Sequence, residues 1–451
     1  MGALLLRRLL LNSDRTFTRP RHRLRNRNPF VENISHVAAR NLPLLPPSIG
    51  IYNSLILRNT GMTSEIRQNH QDLQDVTRLS DHVIRVLGQN PGKFTLQGTN
   101  TYLVGSQRPY IMVDCAEGSD SYIPILTSAL QGGSTATSNT SAPDVSDIII
   151  SHWHHDHVGG LPSVLSLLKN LWVGRNRDRE AEYQGPKLHK YPFDSKIKAG
   201  QHHGSHNLLP DIEKTLDKAL YTVAPDDSVF HNLYDGQMFV DQGTTLLEVL
   251  HTPGHTIDSI CLYLPLDRAL YTADTVLGHG TAVFEDLATY MASLSKMLQY
   301  KRSASALPST SSLSAPFPEN QRETEVNSEY DILYPGHGAV LMNGQETIAT
   351  YIKHRLEREA QIVQVLRLPV PVELQSETQD AGGRQWTIWN LVRNIYKSYP
   401  ENLWLPATKS VYLHLKKLEG EGLVRCLGGE GKDTVWELVA IPPSSTTISN
   451  L

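Results

Sequence analysis

The feature that most constrains this chain is the run Ser151-His152-Trp153-His154-His155-Asp156-His157-Val158-Gly159-Gly160, which follows directly on the apolar stretch Ile148 to Ile150. Residues two apart on an extended segment share a side, so His152 and His154 reach one cation while Asp156 and His157, on the turn beyond, reach a second. His155, between them, points away and is expected outside the ligand set. The paired glycines let the chain turn into a helix over Leu161 to Leu168.

Three more donors stand where a closing sheet brings strand ends back together. His255 lies in Thr252-Pro253-Gly254-His255, His337 in Tyr334-Pro335-Gly336-His337, and Asp274 in Thr272-Ala273-Asp274. A carboxylate can bridge two zinc ions, which imidazole does not normally do, so Asp274 takes that role. Four separate loops supplying nitrogen and oxygen donors, with no thiolate, make chance placement a poor explanation. His202, His203 and His206 sit in an expected insert and read as a solvated loop rather than another metal site, and His251 and His279 are expected to line the cleft.

Around these residues, short apolar strands alternate with helices from Leu79 onward. Strands are expected at His82 to Leu87, Thr101 to Val104, Tyr110 to Val113, Ile148 to Ile150, Thr245 to Leu250, Ser259 to Leu264, Ala269 to Thr272 and Asp331 to Tyr334. That order suits a sheet-rich α/β core with helices outside. Inserts are expected at about 131–146, 185–235 and 303–329, the middle one with room for a strand at Tyr221 to Val223. A long helix over Glu346 to Leu368 follows. The segment 384–440 reads as helix, turn, helix and hairpin, a helical or winged-helix-like appendage. Lys409, Lys416 and Lys417 on its second helix read as a solvated charged face.

Composition sets limits. No run approaches the roughly 18 to 20 apolar residues a membrane helix needs. Cys115, Cys261 and Cys426 lie far apart, which argues against both a disulfide framework and a thiolate zinc site. Residues 1–61 carry ten Arg against Asp14 and Glu32, a net of +8, so the formal −4 of the whole chain leaves −12 for the remainder. The extension has the composition of a mitochondrial presequence or is an untargeted stretch upstream of Met62, so the expected compartment is the mitochondrial matrix or the cytoplasm. The acidic body would repel a polyanion lacking a local basic groove.

The series of HxHxDH, Gly-His, Asp and Gly-His resembles the metallo-β-lactamase-fold hydrolases over about 79–368. The resemblance implies an αββα sandwich with a dinuclear zinc site at one edge, two Zn2+ per chain. It also implies the split of ligands: His152, His154, His255 and Asp274 on one ion, and Asp156, His157, Asp274 and His337 on the other. The family usually has Asp-Thr-Gly where this chain has Asp114-Cys115-Ala116, with Asp114 kept as a partner to the ligands.

A narrower resemblance runs through Asn90 to Tyr102, Gly278 to Leu287 and the appendage. It is to a subgroup holding both a mitochondrial β-lactamase-like endoribonuclease of animals and fungal thioesterases that release polyketide synthase products. Asp156 and Asp274 are the residues expected to support catalysis. The implied partner is an acyl carrier protein domain of a polyketide synthase, or a small acyl thioester, with single-stranded RNA as the alternative and no membrane. The acidic body, without a long basic run, favours the thioester. Asn100 is either a loop-fixing hydrogen bonder or, with His279, a substrate contact. A non-catalytic interaction protein on the same fold is the remaining class.

Overall fold

Strands whose two faces are both apolar demand cover on both sides, and that requirement organises this chain. The computed structural model describes residues 72–132, 142–177, 182–193, 208–301, 329–374 and 383–439. Residues 1–61, the segment around 303–328 and His202, His203 and His206, discussed above from sequence, lie outside the described residues.

The first sheet has seven strands in sequence order: β1 (Val76–Arg78), β2 (Val83–Leu87), β3 (Asn100–Val104), β4 (Tyr110–Val113), β5 (Val145–Ile150), β6 (Lys187–Lys190) and β7 (His231–Asn232). The second has five, β8 (Met238–Asp241), β9 (Thr244–His251), β10 (Ile260–Leu264), β11 (Ala269–Ala273) and β12 (Ile332–Pro335), in the order β12-β11-β10-β9-β8. The period of two places alternate residues on opposite faces. Tyr102 and Val104 of β3 meet Ile260, Leu262 and Leu264 of β10 in a core between the sheets. Leu103, from the same strand, turns outward into a second core.

That outer core is closed by α1 (Tyr122–Gly132) and α3 (Leu161–Arg175), with the short α2 (His155–Val158) before it. Beyond α4 (Leu209–Thr215), the second sheet's outer face (Cys261, Tyr263 and Leu270) is covered by α5 (Leu287–Leu298) and the 23-residue α6 (Gly344–Leu366). The result is the αββα order. Buried Leu287, Tyr290, Met291, Leu294 and Met297 give α5 its inward stripe, and Asp286 caps it by accepting from the Thr289 amide at 2.6 Å.

β6 corrects the expectation of an insert at 185–235. Its sequence, Lys-Leu-His-Lys, does not look like a buried strand, and Tyr221 to Val223 contributes only an isolated bridge from Thr222 to Lys187. The strand is buried because its polar groups find partners: His189 Nε2 meets Asp147 Oδ1 at 2.8 Å, and the Lys190 ammonium is ion-paired with fully buried Asp258. Likewise β5 begins at Val145, inside the stretch expected as the first insert.

The C-terminal module packs α7 (Ile388–Ile395) and α8 (Trp404–Gly420) on a small sheet ordered β13 (Trp386–Thr387), β15 (Val435–Leu438), β14 (Val424–Gly428). Its core, built on Trp386, Trp436, Leu391, Val411 and Leu415, also takes in Ile362 and Leu366 from the end of α6. The reading of its lysines as a solvated face needs correction. Lys417 is buried and pairs with Glu359 of α6 at 2.8 Å and with Glu421 at 2.7 Å. Lys409 is half-buried, and burial lowers its pKa to about 8 despite the nearby Glu285 carboxylate. Lys416 is exposed and pairs with Glu419.

These positions predict unequal costs. Lys417→Met leaves Glu359 buried without its ammonium partner and is expected to destabilise the fold by about 3 to 5 kcal/mol. Lys416→Met removes only a surface pair, expected at about 0 to 1 kcal/mol. Denaturant midpoints of the two variants check this, and equal shifts would contradict it.

Candidate metal centre

Every donor predicted from sequence stands just past the C-terminal end of a strand or on the turn that follows. β5 delivers His152 and His154, then Asp156 and His157 at the start of α2; β9 leads to His255, β11 to Asp274 and β12 to His337. The donors fall into two groups: His152, His154, His255 and Asp274, and Asp156, His157 and His337. His155 joins neither.

In the first group, His152 Nε2 lies 3.0 Å from His154 Nδ1, His255 Nε2 lies 3.0 Å from His154 Nδ1, and the two Nε2 atoms of His152 and His255 are 3.3 Å apart. In the second, His157 Nε2 and His337 Nε2 are 3.4 Å apart, and Asp156 Oδ2 is 3.1 Å from His337 Nε2. A tetrahedral zinc with bonds of 2.0–2.1 Å holds its ligand atoms roughly 3.3 Å from one another, so the donor spacing fits such an ion. Three ring nitrogens facing a common centre cannot all satisfy each other as hydrogen bonds, which also fits a cation.

Asp274 reaches across. Its Oδ2 lies 3.6 Å from His255 Nε2, and its Oδ1 lies 3.2 Å from His337 Nε2 and 3.4 Å from His157 Nε2. Oδ1 is buried and has no hydrogen-bond partner. One carboxylate thus addresses each group with a separate oxygen, the arrangement a bridging ligand needs.

Close packing in the strand-end turns requires glycine. At Gly254, φ is +132°, and a Cβ would come within 2.4 Å of the Tyr290 Cα. At Gly336, a Cβ would lie 2.6 Å from Asp274 Oδ1. The Gly-His pairs of the sequence are therefore spatial requirements of the site.

Protonation differs between the groups. Burial, reinforced by neighbouring imidazoles, holds His152 well below its ordinary value, and burial followed by His255 brings His154 to about 3. These rings are neutral, as metal ligation requires. For His337, burial alone would lower the pKa, but Asp274 and Asp156 outweigh it and raise it to about 9. His157 is raised as well, its burial outweighed by Asp156, Asp114 and Asp274. Without metal, the stabilising charge on His337 is fully present below its unfolded pKa near 6.5 and lost as pH rises through about 9. Metal entering this group at neutral pH must displace protons.

A second set of residues, not assembled by sequence reasoning, orients the ligands. Asp114 is fully buried and accepts from the Ser151 amide at 2.8 Å, the Ser151 hydroxyl at 2.8 Å, His157 Nδ1 at 2.6 Å and the Tyr271 hydroxyl. His255 Nδ1 donates to the Val283 carbonyl at 2.7 Å. Such contacts fix the tautomer and direction of a ligating ring. The sequence signal for Asp114 was its family position; Tyr271 and Val283 had none.

Asn100, read from sequence as either a loop-fixing hydrogen bonder or a substrate contact, makes hydrogen bonds to the end of β12 and the loop after it. It is completely buried, and its Nδ2 donates to Pro335 O at 3.0 Å and Gly338 O at 2.8 Å, holding the turn that carries His337. His279 is half-buried beside Gly278, whose amide donates to the His337 carbonyl at 2.8 Å, so its loop borders the site. His251 stands outside both groups and stacks on Tyr191 with ring centroids 3.7 Å apart.

The match to known families is decisive. Residues 94–337 match the metallo-beta-lactamase superfamily, over half the chain, and residues 387–432 match the beta-lactamase associated winged helix domain. The chain belongs to the metallo-beta-lactamase superfamily. Among superfamily relatives, a beta-lactamase-like protein 2 homolog of Drosophila melanogaster is 34% identical over 351 residues, covering 78% of this chain and 92% of its own. An atrochrysone carboxyl ACP thioesterase of Aspergillus novofumigatus is 31% identical over 304 residues, covering 67% of this chain and 69% of its own. In fold, a beta-lactamase domain protein from Burkholderia ambifaria is similar at a TM-score of 0.50 and 16% identity, over 81% of this chain and 93% of that one. As a superfamily hydrolase, the chain carries its His and Asp cluster at the sheet edge. Among the described residues, no helix is long and apolar enough to cross a membrane.

Proposed function

We propose that this chain is a dinuclear zinc thioesterase that releases an acyl group, of polyketide type, from an acyl carrier protein. The observation that carries the metal part is Asp274, whose two oxygens address the two donor groups separately. The substrate part draws on relatives at about 30% identity that are named atrochrysone carboxyl ACP thioesterases.

Zinc, when bound, polarises a carbonyl oxygen and brings the pKa of a water toward neutrality. The chain's own residues supply the rest. His152, His154 and His255 offer three ring nitrogens to one centre, those of His152 and His154 held neutral by burial. Asp156, His157 and His337 form the second seat, and Asp274 keeps the two seats in register. Thr99 Oγ donates to Asp156 Oδ2 at 3.4 Å and steadies that carboxylate. Lys417 and Lys416 of α8 offer RNA little, since both are paired with acids of the fold and the body is acidic.

A purified preparation is expected to hydrolyse an acetoacetyl-type or small aromatic thioester, read as free thiol released. The rate is expected to vary little with salt and to be lost in Asp156→Ala. Efficient cutting of single-stranded RNA at low salt, with thioester turnover no higher than the metal-free background, would overturn the substrate class in favour of the nuclease.

A further inference from the structure

We propose that Arg355, on the second sheet's outer helix, is a positioning residue for His255, acting through the backbone carbonyl of Val283. The proposal rests on the reading of His152, His154, His255 and Asp274 as a metal seat. Arg355 is buried, its guanidinium donates to the Ala282 carbonyl at 3.2 Å, and its central carbon lies 4.7 Å from the centre of the Phe284 ring. Ala282 and Phe284 flank Val283, whose carbonyl accepts from His255 Nδ1 at 2.7 Å. Clamping both neighbours of Val283 fixes the direction of that carbonyl. The carbonyl in turn sets the His255 ring, with Nε2 facing His152 and His154 at 3.3 and 3.0 Å.

The helix carrying Arg355 grips this loop twice. Tyr351, one turn earlier on α6, receives a hydrogen bond from the Leu277 amide at 3.2 Å and donates to the Gly280 carbonyl at 2.9 Å. Phe284 also stacks on Tyr290, with ring centroids 5.1 Å apart, and the Tyr290 hydroxyl donates to Thr275 O at 2.6 Å. A buried guanidinium is costly, and Arg355 Nε has no hydrogen-bond partner. Elsewhere the helix buries Ile348 and Ile362. An apolar side chain would fill this place as well if only packing were needed. What an apolar residue cannot do is hold a planar, stacked donor against the loop that aims a ligand, and lysine does this poorly. Partners outside the ligand shell are worth roughly ten- to a hundredfold in metal affinity.

The two donor groups provide an internal control, because only the first contains His255. Zinc affinity is to be measured on the full chain by competition with a chelator in two backgrounds. Asp156→Ala weakens the second group and isolates the first, and His255→Ala does the reverse. Arg355→Met is expected to weaken zinc binding about tenfold or more in the Asp156→Ala background and to leave it within about threefold in the His255→Ala background. Arg355→Lys is expected to show the same selectivity at smaller size, and it decides the matter if Arg355→Met does not fold. Equal weakening in both backgrounds, or none in the first, would overturn the role of Arg355. If the unmodified chain takes up no zinc at all, the metal reading falls and this role with it, whereas zinc uptake without the selective loss defeats Arg355 alone.

Discussion

Asp274→Ala is expected to lower hydrolysis by roughly a thousandfold or more, about 4 kcal/mol of transition-state stabilisation, and to release metal from both seats. The expectation comes from geometry. Every other donor belongs to one group, but Asp274 lies within 3.6 Å of His255 on one side and 3.2 Å of His337 on the other. Its removal also withdraws the carboxylate that does most to raise the pKa of His337 and that adds to the effect of Asp156 and Asp114 on His157, so the second seat loses both a ligand and part of its charge balance. His337→Ala, by contrast, is expected to empty the second seat while leaving most metal in the first. Metal content measured alongside turnover separates the two variants. An Asp274→Ala protein that keeps two ions would contradict the bridging assignment.

Asp114→Ala is expected to destabilise the metal-free protein by about 3 to 5 kcal/mol, the cost of breaking a buried charged network. The variant leaves His157 Nδ1, the Tyr271 hydroxyl and the Ser151 amide and hydroxyl facing an emptied site without their acceptor. Such penalties are not additive, because the orphaned groups can relax toward one another. Asp114→Asn keeps the shape but sets an amide against several donors, so an intermediate cost is expected, together with weaker zinc binding at the seat containing His157. Denaturant unfolding of the metal-free variants checks the stability claim. A shift below about 0.5 kcal/mol for Asp114→Ala, the range of an ordinary surface substitution, would contradict it.

Much of the site was legible because its chemistry is concentrated in short motifs. HxHxDH after an apolar strand gives four donors in six residues, and the two Gly-His pairs carry their own explanation in the contacts a Cβ would make at Gly254 and Gly336. Most of the strands β2 to β5 and β9 to β12 were legible from runs of apolar residues such as Ile148 to Ile150 and Ile260 to Leu264. β6 was not, since the groups that make Lys190 and His189 buriable, Asp258 and Asp147, lie far away in sequence. The same separation hid which residues Asn100 holds, since its partners Pro335 and Gly338 are more than two hundred residues away. It also hid the burial of Lys417, which depends on Glu359 of another helix. The stripe of α5, by contrast, has ordinary helical spacing and was available to be read.

The proposed centre has two metal ions, one in each donor group, with Asp274 between them. Diffraction from zinc-loaded crystals at the zinc absorption edge tests it most directly. Two anomalous peaks are expected, one among His152, His154 and His255 and one among Asp156, His157 and His337, with a separate Asp274 oxygen toward each. A single peak in fully active, zinc-saturated protein would contradict it.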